Sequence, residues 1–435
     1  MLERKQEKDW IDREFKKMKK SEQGITLVVL IITVVIMLIL AAVTINVTLG
    51  EGGILDQARL AKAITTNSTK SEQEALNSLM QEFSNIMGED SEITPPETGG
   101  NNETGGDIEE PDVPDDIAGL KPGNGEPVEI LDNTTTVKDD LQNNVVIPGG
   151  FGIASDSGTK VEEGIVIEDA SGNQFVWIPT GTYNVSTTIN SSGKLTNNLS
   201  RRTFTTTEAT EVSGDDGIQD GSYYYYGEGN SSSVASGQIG AFKASAESTA
   251  NGGKGGFYIG RYEVGTEEER TSEDDPLTMP IVQANKYPYV YITRDQAKSQ
   301  IEAMYSSNNN VESELISSYA WDTALNFICQ TNVEDGEGYN LAMTTSKDYA
   351  NIGTNTKENT GAYVADNYSN IHDLLGNCWE WSTEYSSGRY RPCVVRGGNC
   401  VNSDYYSLFY AAIRLNYDTS DSNNIVSARA QLYVK

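Results

Sequence analysis

Histidine is nearly absent from this chain, since His372 is the only one among 435 residues. A single imidazole excludes histidine-rich metal cages and excludes a Ser-His-Asp relay anywhere but at that one position. Basic residues are also scarce, with 32 Lys and Arg against 63 Asp and Glu and a net charge of -31. Affinity for nucleic acids comes mainly from Lys and Arg, so we expect no nucleic-acid partner.

Large apolar residues are scarce as well. Only 37% of the chain is hydrophobic, and it contains 41 glycines. This composition predicts long loops, and the length is about three times that of a typical domain. We therefore expect several segments, with a substantial part of the chain in linkers or irregular structure.

The N-terminus departs from this composition. Met1–Gly24 carries eight Lys and Arg, and the next 21 residues, from Ile25 to Ile45, have no charge. As a helix this run is about 30 Å long, enough to cross a bilayer. The basic cluster at Lys16–Lys20 predicts a cytoplasmic N-terminus and therefore a single-pass cell-membrane protein with an extracellular C-terminal domain. The alternative, a secretory signal peptide, usually has a shorter apolar region of about 7 to 15 residues.

The junction Gln23-Gly24-Ile25-Thr26-Leu27 resembles the processing site of type IV prepilins, which are cut after the glycine. The resemblance covers residues 16–87. It implies a leader over residues 1–24, cleavage between Gly24 and Ile25 by a prepilin peptidase, and a transmembrane, pilin-like helix over residues 25–87 that assembles with other pilins in a pilus. Pilins usually carry glutamate at the fifth mature position, where this chain has Val29, which favours a minor or tip subunit. An uncleaved membrane anchor is the alternative.

The next segment, residues 88–128, holds twelve acidic residues, six prolines and eight glycines. Such a segment buries too little apolar surface to offset its ordering entropy, so it is interpreted as a disordered acidic linker.

From about Val145 the sequence changes to short segments rich in β-branched and aromatic residues. Gly164–Glu168, Gln174–Pro179 and Gly256–Val264 have the composition and length of strands. Helices are predicted over Thr293–Tyr305, which opens with a capping box, and over Glu312–Gln330. Residues 183–255, rich in Ser, Thr, Gly and Asn, are interpreted as a partly ordered insertion. The predicted fold class is α+β with much irregular coil.

Three C-terminal motifs carry the most specific signal: Ile371–Trp381 (IHDLLGNCWEW), Arg391–Gly398 (RPCVVRGG) and Ser427-Ala-Arg429. Trp379 and Trp381 are two residues apart, so on a strand both face one side and anchor a core. Gly376-Asn377 permits a tight turn, and the glycines after Arg396 let the backbone pass close to a bulky group.

This set resembles the formylglycine-generating-enzyme (sulfatase-modifying factor) family, a variant of the C-type lectin fold. Upstream pieces are similar too: Phe175–Pro179, Phe257–Glu263 and the Trp-containing segment Ala320–Leu325. The resemblance covers residues 145–435 and implies a C-type-lectin-like domain there.

The oxidases of that family hold copper(I) with two cysteines five positions apart, shortly after Arg-Gly-Gly. Here Cys400 lies near the first place, but Tyr405 occupies the second. A lone thiolate does not form the pair, so we expect no enzyme, with a formylglycine-generating oxidase as the alternative.

The resemblance also implies features of the structure. The family pairs the strands that carry Cys378 and Cys393, which implies a cross-strand disulfide outside the cell, with buried free thiols as the alternative. The one cofactor implied is calcium, held by the carbonyls of Leu375, Gly376 and Cys378 and by the side chain of Glu380. An ordinary buried Glu380 paired with an arginine is the alternative.

Residues 399–425 have the composition of a recognition loop, because sixteen of the 27 are Asn, Ser, Tyr or Asp. A fixed frame around such a patch resembles the variable proteins of diversity-generating retroelements, in which mutagenesis scatters these residue types across a lectin-fold face. The positions that fit are Asn399, Cys400, Asp404, Tyr405, Tyr406, Leu408, Phe409, Tyr410, Ile413, Leu415, Asn416 and Tyr417.

The leading interpretation is a surface-displayed, adhesin-like protein that is pilin-anchored and binds its ligand through a diversified C-terminal face. The ligand class is a protein or glycan on another cell, phage or host surface. A structural minor pilin and a polar loop that merely completes the fold are the alternatives.

Overall fold

The computed structural model describes residues 115–123, 126–220, 222–227, 238–333, 338–346, 348–401 and 410–435. They belong to a compact unit that spans Asp107–Lys435. The predicted leader, the pilin-like helix and most of the acidic linker lie outside the described residues, so those boundaries stay predictions.

Short strands dominate the described part of the chain. Their bounds are β1 Thr135–Lys138, β2 Asn144–Ile147, β3 Phe151–Ile153, β4 Val166–Asp169, β5 Gln174–Pro179, β6 Gly181–Asn184, β7 Lys194–Asn197, β8 Arg201–Phe204, β9 Ala209–Val212, β10 Ile218–Asp220, β11 Tyr223–Tyr226, β12 Gly256–Gly260, β13 Gly265–Thr266, β14 Tyr287–Pro288, β15 Val311–Leu315, β16 Trp379–Ser386, β17 Cys393–Arg396, β18 Leu415–Tyr417, β19 Val426–Ala428 and β20 Ala430–Val434.

The α-helices in this part are α1 Ile117–Leu120, α2 Gln238–Ala246, α3 Arg294–Met304, α4 Ser318–Thr331 and α5 Asn340–Met343. The capping box predicted for α3 is confirmed: the Thr293 side chain accepts from the Gln296 amide, and the Gln296 side chain accepts from the Thr293 amide. Helix α4 begins after Ser317, whose hydroxyl accepts from the Ala320 amide at 3.2 Å.

Two six-stranded sheets form the framework. The first has the order β15-β20-β12-β5-β4-β3 and is antiparallel throughout. The second has the order β10-β11-β16-β17-β18, with β19 pairing in parallel with β16. Strands β19 and β20 are consecutive, so the C-terminal segment contributes to both sheets.

The core lies against these sheets and is built around tryptophan. Trp177 on β5, Trp321 on α4, and Trp379 and Trp381 on β16 are almost completely buried. The predicted core role of the two tryptophans on β16 is confirmed. Large aromatic side chains contribute much apolar area each, which offsets the low apolar content of the chain.

The strand predicted at Gln174–Pro179 is confirmed with the same bounds. The single helix predicted over Glu312–Gln330 is wrong in its first part, because Val311–Leu315 forms β15 along β20. Its five residues pair with Ala430–Val434 of β20, which satisfies the backbone polar groups between the two strands.

The segment predicted as a partly ordered insertion, residues 183–255, contains much regular structure. Strands β6 to β11 and helix α2 lie wholly or mostly within it. Within the segment predicted as a linker, Ile117 is fully buried and the Lys138 amide donates to the Asp115 carbonyl at 3.0 Å. The composition, rich in Ser, Thr, Gly and Asn, gave no sign of these strands, although β6 pairs with β7, β8 with β9 and β10 with β11 as neighbours in the sequence.

The predicted fold class is wrong. The described residues form mainly short β strands with few helices rather than the predicted α+β architecture, and the predicted long N-terminal helix lies outside them. Ile25–Ile45 lies outside the described residues. Among the helices that the structure does describe, none is long and apolar enough to span a bilayer, and α4 is the longest at 14 residues. The predicted single-pass, pilin-type membrane localisation therefore finds no support in the helices that the structure describes.

Candidate functional site

A tight turn before β16 organises the C-terminal motifs. Gly376 and Asn377 both have positive φ, at 81° and 53°. The Gly376 amide donates to the Gly397 carbonyl at 2.7 Å, which brings the Gly-Asn and Arg-Gly-Gly motifs together. A Cβ on Gly397 would lie 3.1 Å from the Leu374 carbonyl oxygen and 3.3 Å from the Trp321 ring. The close passage predicted for these glycines is therefore confirmed.

The Asn377 side chain locks this turn from inside. Its Oδ1 accepts from the Asn351 side chain at 2.8 Å and from the Glu358 amide at 2.9 Å, and its Nδ2 donates to the buried Glu263 carboxylate. With both ends of its amide occupied, Asn377 tolerates little rearrangement of the turn.

Arg396, the arginine of Arg-Gly-Gly, is fully buried. Its guanidinium donates to Asp322 at 2.7 Å, to Glu384 at 3.3 Å and to the Ile413 carbonyl at 2.8 Å. It also lies over the Trp321 ring, with 5.3 Å between the guanidinium carbon and the ring centroid. One side chain thus joins helix α4, strand β16 and the backbone before β18.

Two more arginines complete a buried ion-pair network. Arg414 donates to Glu384 at 2.7 Å and to Asp322 at 2.5 Å, and Arg201 donates to Glu384 at 3.0 Å. Burial alone would raise the pKa values of both carboxyls, but the charges of Arg414 and Arg396 hold them below their ordinary values. We call Asp322, Glu384, Arg201, Arg396 and Arg414 the arginine frame.

Hydrogen bonds hold the described residues on both sides of residues 402–409, within the segment with recognition-loop composition. After residues 402–409, the Trp321 indole donates to the Ala411 carbonyl at 3.0 Å and the Ala412 amide donates to the Ala342 carbonyl at 3.0 Å. Before them, the Cys400 amide donates to the Asn377 carbonyl at 2.9 Å and the Cys400 carbonyl accepts from Asn355 at 2.8 Å. Both flanks are therefore fixed to buried parts of the scaffold.

The predicted ligand-binding residues fall into three groups. Asn399, Cys400, Ile413 and Asn416 are buried. Tyr410, Leu415 and Tyr417 are half-buried and pack against the core. Asp404, Tyr405, Tyr406, Leu408 and Phe409 lie outside the described residues, and so do the predicted cleavage residues Gly24 and Ile25.

Two members of the set contact the scaffold. The buried Asn416 accepts from the Tyr225 hydroxyl at 3.0 Å, and the half-buried Tyr417 ring packs edge-on against Trp381 with centroids 5.7 Å apart. The five predicted contact residues within 402–409 lie between the two fixed flanks in the sequence.

The residues of the predicted calcium site do not fit a cation. Glu380 is buried, and both of its carboxylate oxygens accept from Arg429, at 2.6 and 2.9 Å. Arg429 in turn donates to the carbonyls of His372 at 2.7 Å and Gly260 at 2.8 Å. A guanidinium in contact with both oxygens repels a divalent ion. The described residues contain no group of three or more His, Cys, Asp or Glu placed to hold a metal.

All four cysteines are free and buried. The antiparallel register pairs Glu380 with Arg396 and Tyr385 with Cys393, so Cys393 lies seven residues along β16 from the level of Cys378. This register excludes the disulfide implied between Cys378 and Cys393. Burial raises the pKa of the Cys400 thiol to about 11 and that of Cys378 well above its ordinary value.

Sequence reasoning missed a group of exposed tyrosines. Tyr223 and Tyr224 on β11 are 43% and 42% exposed, and Tyr390 is 74% exposed. Strand β11 pairs with β16, and Tyr225 reaches Asn416 from the same strand. The run YYYY in the sequence was the available signal, but it lies in the segment interpreted as an insertion.

No protein-family model and no curated protein sequence matches the chain. Among solved structures, it is similar to variable protein 1 of Treponema denticola, at 14% identity over 40% of this chain and 84% of that chain, with a TM-score of 0.27. It is also similar to PvdO from Pseudomonas aeruginosa, at 12% identity over 62% of this chain and 97% of that chain, with a TM-score of 0.31. Function must therefore be inferred from this chain's own residues.

Proposed function

We propose that the chain is a ligand-binding protein whose contact surface is formed by residues 402–409, the segment between two flanks that are fixed to the buried scaffold. The observation that carries this proposal is the fixing of both flanks. Cys400 is bonded to the turn at Asn377, and Ala411 and Ala412 are bonded to Trp321 and Ala342. The intervening sequence is NSDYYSLF, which combines two tyrosines with adaptable polar side chains.

The physical logic is preorganisation. Tyrosine offers a large contact area at a low cost in rotamer entropy, and Asn, Ser and Asp adapt their hydrogen bonds to the partner. A segment fixed at both ends loses less freedom on binding, so more of its contact energy appears as affinity. Tyr405, Tyr406 and Phe409 serve as flat anchors, and Asp404 serves as a polar contact.

The proposal includes diversification of this segment. Among the described residues, the flanks are fixed by backbone groups, by the Trp321 indole and by Arg396, and we infer that the side chains of residues 402–409 vary without loss of the fold. The genome tests this: a near-identical template repeat and a reverse transcriptase are expected next to the gene. A locus with neither contradicts diversification, although not ligand binding.

The proposed activity is recognition without chemistry. A formylglycine-generating oxidase needs two thiolates for its copper ion, whereas Cys400 and Cys378 are buried and their thiols are protonated at neutral pH. We expect no copper-dependent oxygen consumption with a cysteine-containing peptide. Turnover above the rate of the copper salt alone would overturn this assignment.

The proposed partner is a protein or glycan on the surface of another cell, a phage or a host. The test compares the wild-type chain with the double variant Tyr405→Ala and Tyr406→Ala in cell-binding and glycan-array screens. We expect the variant to lose at least about tenfold in affinity, as for aromatic hot spots. Tyr223→Ala with Tyr224→Ala is the matched control, because these tyrosines are exposed and lie outside the segment.

Equal binding by the wild type and the Tyr405/Tyr406 variant would refute the proposed surface. Loss of binding in the Tyr223/Tyr224 control alone would move the site to strand β11.

A further inference from the structure

One depression in the described surface shares no residue with residues 399–425. It is a groove of about 720 Å³ between the 3-10 turn Val161–Glu163, the loop after β6, the end of α4 and the segment Asn367–Asn370. Small-molecule sites usually have volumes of about 300 to 1,000 Å³, so the groove has the size of one. We call it the polar groove.

The hydrogen-bonding groups along the polar groove are held in place. The Glu162 carboxylate accepts from the Ser186 amide at 2.7 Å and from the Ser186 hydroxyl. The Ser369 hydroxyl donates to the Glu162 carbonyl at 3.1 Å and accepts from the Asn332 side chain at 3.1 Å. A carboxylate offers about four acceptor positions, so Glu162 retains capacity for two further donors.

The backbone on one side of the groove is held in an unfavourable conformation. Ser369 and Asn370 have φ of 49° and 61°, in the left-handed region. Two side-chain hydrogen bonds hold Asn370 there. Its Nδ2 donates to the Gly164 carbonyl at 2.8 Å, and its Oδ1 accepts from the Arg261 guanidinium at 3.1 Å. Any Cβ on Gly164 would clash with the Ser369 carbonyl, so a glycine is needed at that contact. Strain of this kind is found where surrounding structure fixes a binding surface.

The charges along the groove narrow the class of ligand. The Lys160 ammonium pairs with the Glu163 carboxylate at 3.0 Å. Glu162 adds a further negative charge, so the lining of the groove has a net negative charge. Anions are therefore disfavoured, and one remaining carboxylate is too few for a calcium ion. Ile189 and Tyr368 contribute most of the apolar surface of the groove. This surface is too small to bury a hydrophobic ligand.

We propose that the polar groove binds a short neutral saccharide. Two adjacent hydroxyls of a sugar ring donate together to the Glu162 carboxylate. The side-chain amides of Asn332 and Asn367 and the Ser369 hydroxyl form hydrogen bonds with the remaining sugar hydroxyls. Tyr368 supplies an aromatic surface of the kind on which the apolar face of a sugar ring packs. An extended peptide is less suited, because it needs an open strand edge rather than isolated side-chain groups. This site is independent of the proposed C-terminal surface.

The experiment titrates the full chain with chitotriose, cellotriose and maltotriose, each to about 10 mM, by calorimetry and saturation-transfer NMR. We expect at least one to bind with a Kd on the order of 1 mM or below. Thr188→Trp and Asn367→Trp, at exposed positions in the lining, fill the groove and are expected to weaken that binding at least about tenfold. Thr187→Trp is the matched control, since Thr187 is exposed and does not line the groove.

Failure of all three sugars to bind overturns the proposal, and so does equal weakening by Thr187→Trp. Tighter binding of the anionic trigalacturonate than of the neutral sugars overturns the assigned class. The Tyr405/Tyr406 variant should bind the sugar as well as the wild type does, which separates this site from the C-terminal surface. Thermal unfolding of each tryptophan variant verifies that it folds.

Discussion

Buried arginines and carboxylates connect several elements of this fold. The arginine frame places three guanidinium groups and two carboxylates in the interior, where each lies within 3.3 Å of an opposite charge. A buried pair contributes little net stability compared with an apolar replacement, but removing one partner leaves an uncompensated charge. The frame therefore makes the scaffold intolerant of change at these positions.

Glu384→Gln tests that dependence. The substitution removes the charge that balances three arginines while nearly preserving shape, so we expect it to destabilise the chain by about 3 to 5 kcal/mol. Urea unfolding followed by tryptophan fluorescence measures the change. The matched control is Glu267→Gln, which breaks the exposed pair with Lys286 and is expected to cost less than about 1 kcal/mol. Equal costs for the two variants would show that the frame is not a structural determinant.

Acid should unfold the chain through the same two carboxyls. Arg414 and Arg396 hold the folded-state pKa values of Asp322 and Glu384 below their ordinary values, despite burial. A depressed pKa contributes stability that is present above the unfolded-state pKa of about 4 and is lost as pH falls through the folded-state value. We expect stability to decline below about pH 4, and to decline less steeply in Glu384→Gln. Parallel pH profiles of urea midpoints for the two proteins would contradict this.

At the scale of elements, local chemistry predicts some boundaries well and others not at all. The Thr293 capping box and the aromatic strand Gln174–Pro179 were readable because their signals lie within a few neighbouring residues. Strand Val311–Leu315 was not, because its partner is the C-terminal strand β20, more than a hundred residues away. Polar strands such as Tyr223–Tyr226 are likewise fixed by a distant neighbour, β16.

The start of helix α3 gives a prediction at this scale. Thr293→Ala removes the hydroxyl that accepts from the Gln296 amide at 3.3 Å, and we expect a loss of about 1 kcal/mol. Thr293→Ser keeps the acceptor and should stay within about 0.5 kcal/mol of the wild type. Urea midpoints of the three proteins provide the measurement. If serine and alanine were equally destabilising, the methyl group rather than the cap would be responsible.

For the candidate site, the sequence predicted the scaffold around the turn before β16, whereas the contact residues stay predictions. Arg396 and its two glycines, the Gly376-Asn377 turn and Trp379 were each singled out from steric or packing requirements, and all lie at the centre of the scaffold. Seven of the twelve residues predicted to touch a ligand are instead buried or half-buried in the described structure. Composition shows which side chains suit recognition. Whether a side chain is exposed depends on which other elements of the fold pack over it.

The four cysteines form no disulfide, and the reactivity of their thiols can be measured directly. Cys329, Cys378, Cys393 and Cys400 are all free and buried. Burial raises the pKa of Cys393 and Cys400 to about 11 and that of Cys329 to about 12, and it raises the pKa of Cys378 well above its ordinary value. The reactive thiolate is therefore scarce at neutral pH as well as inaccessible.

We expect the folded chain, purified without reductant, to react with Ellman's reagent far more slowly than a free thiol, and all four cysteines to react at once in urea. Prior treatment with a phosphine reductant, removed before the assay, should not raise the urea titre, because no bridge is present to cleave. A titre of two that rises to four after reduction would mean that two cysteines pair in solution. Rapid labelling of the folded chain would mean that the scaffold opens, and the rigid support proposed for residues 402–409 would be lost with it.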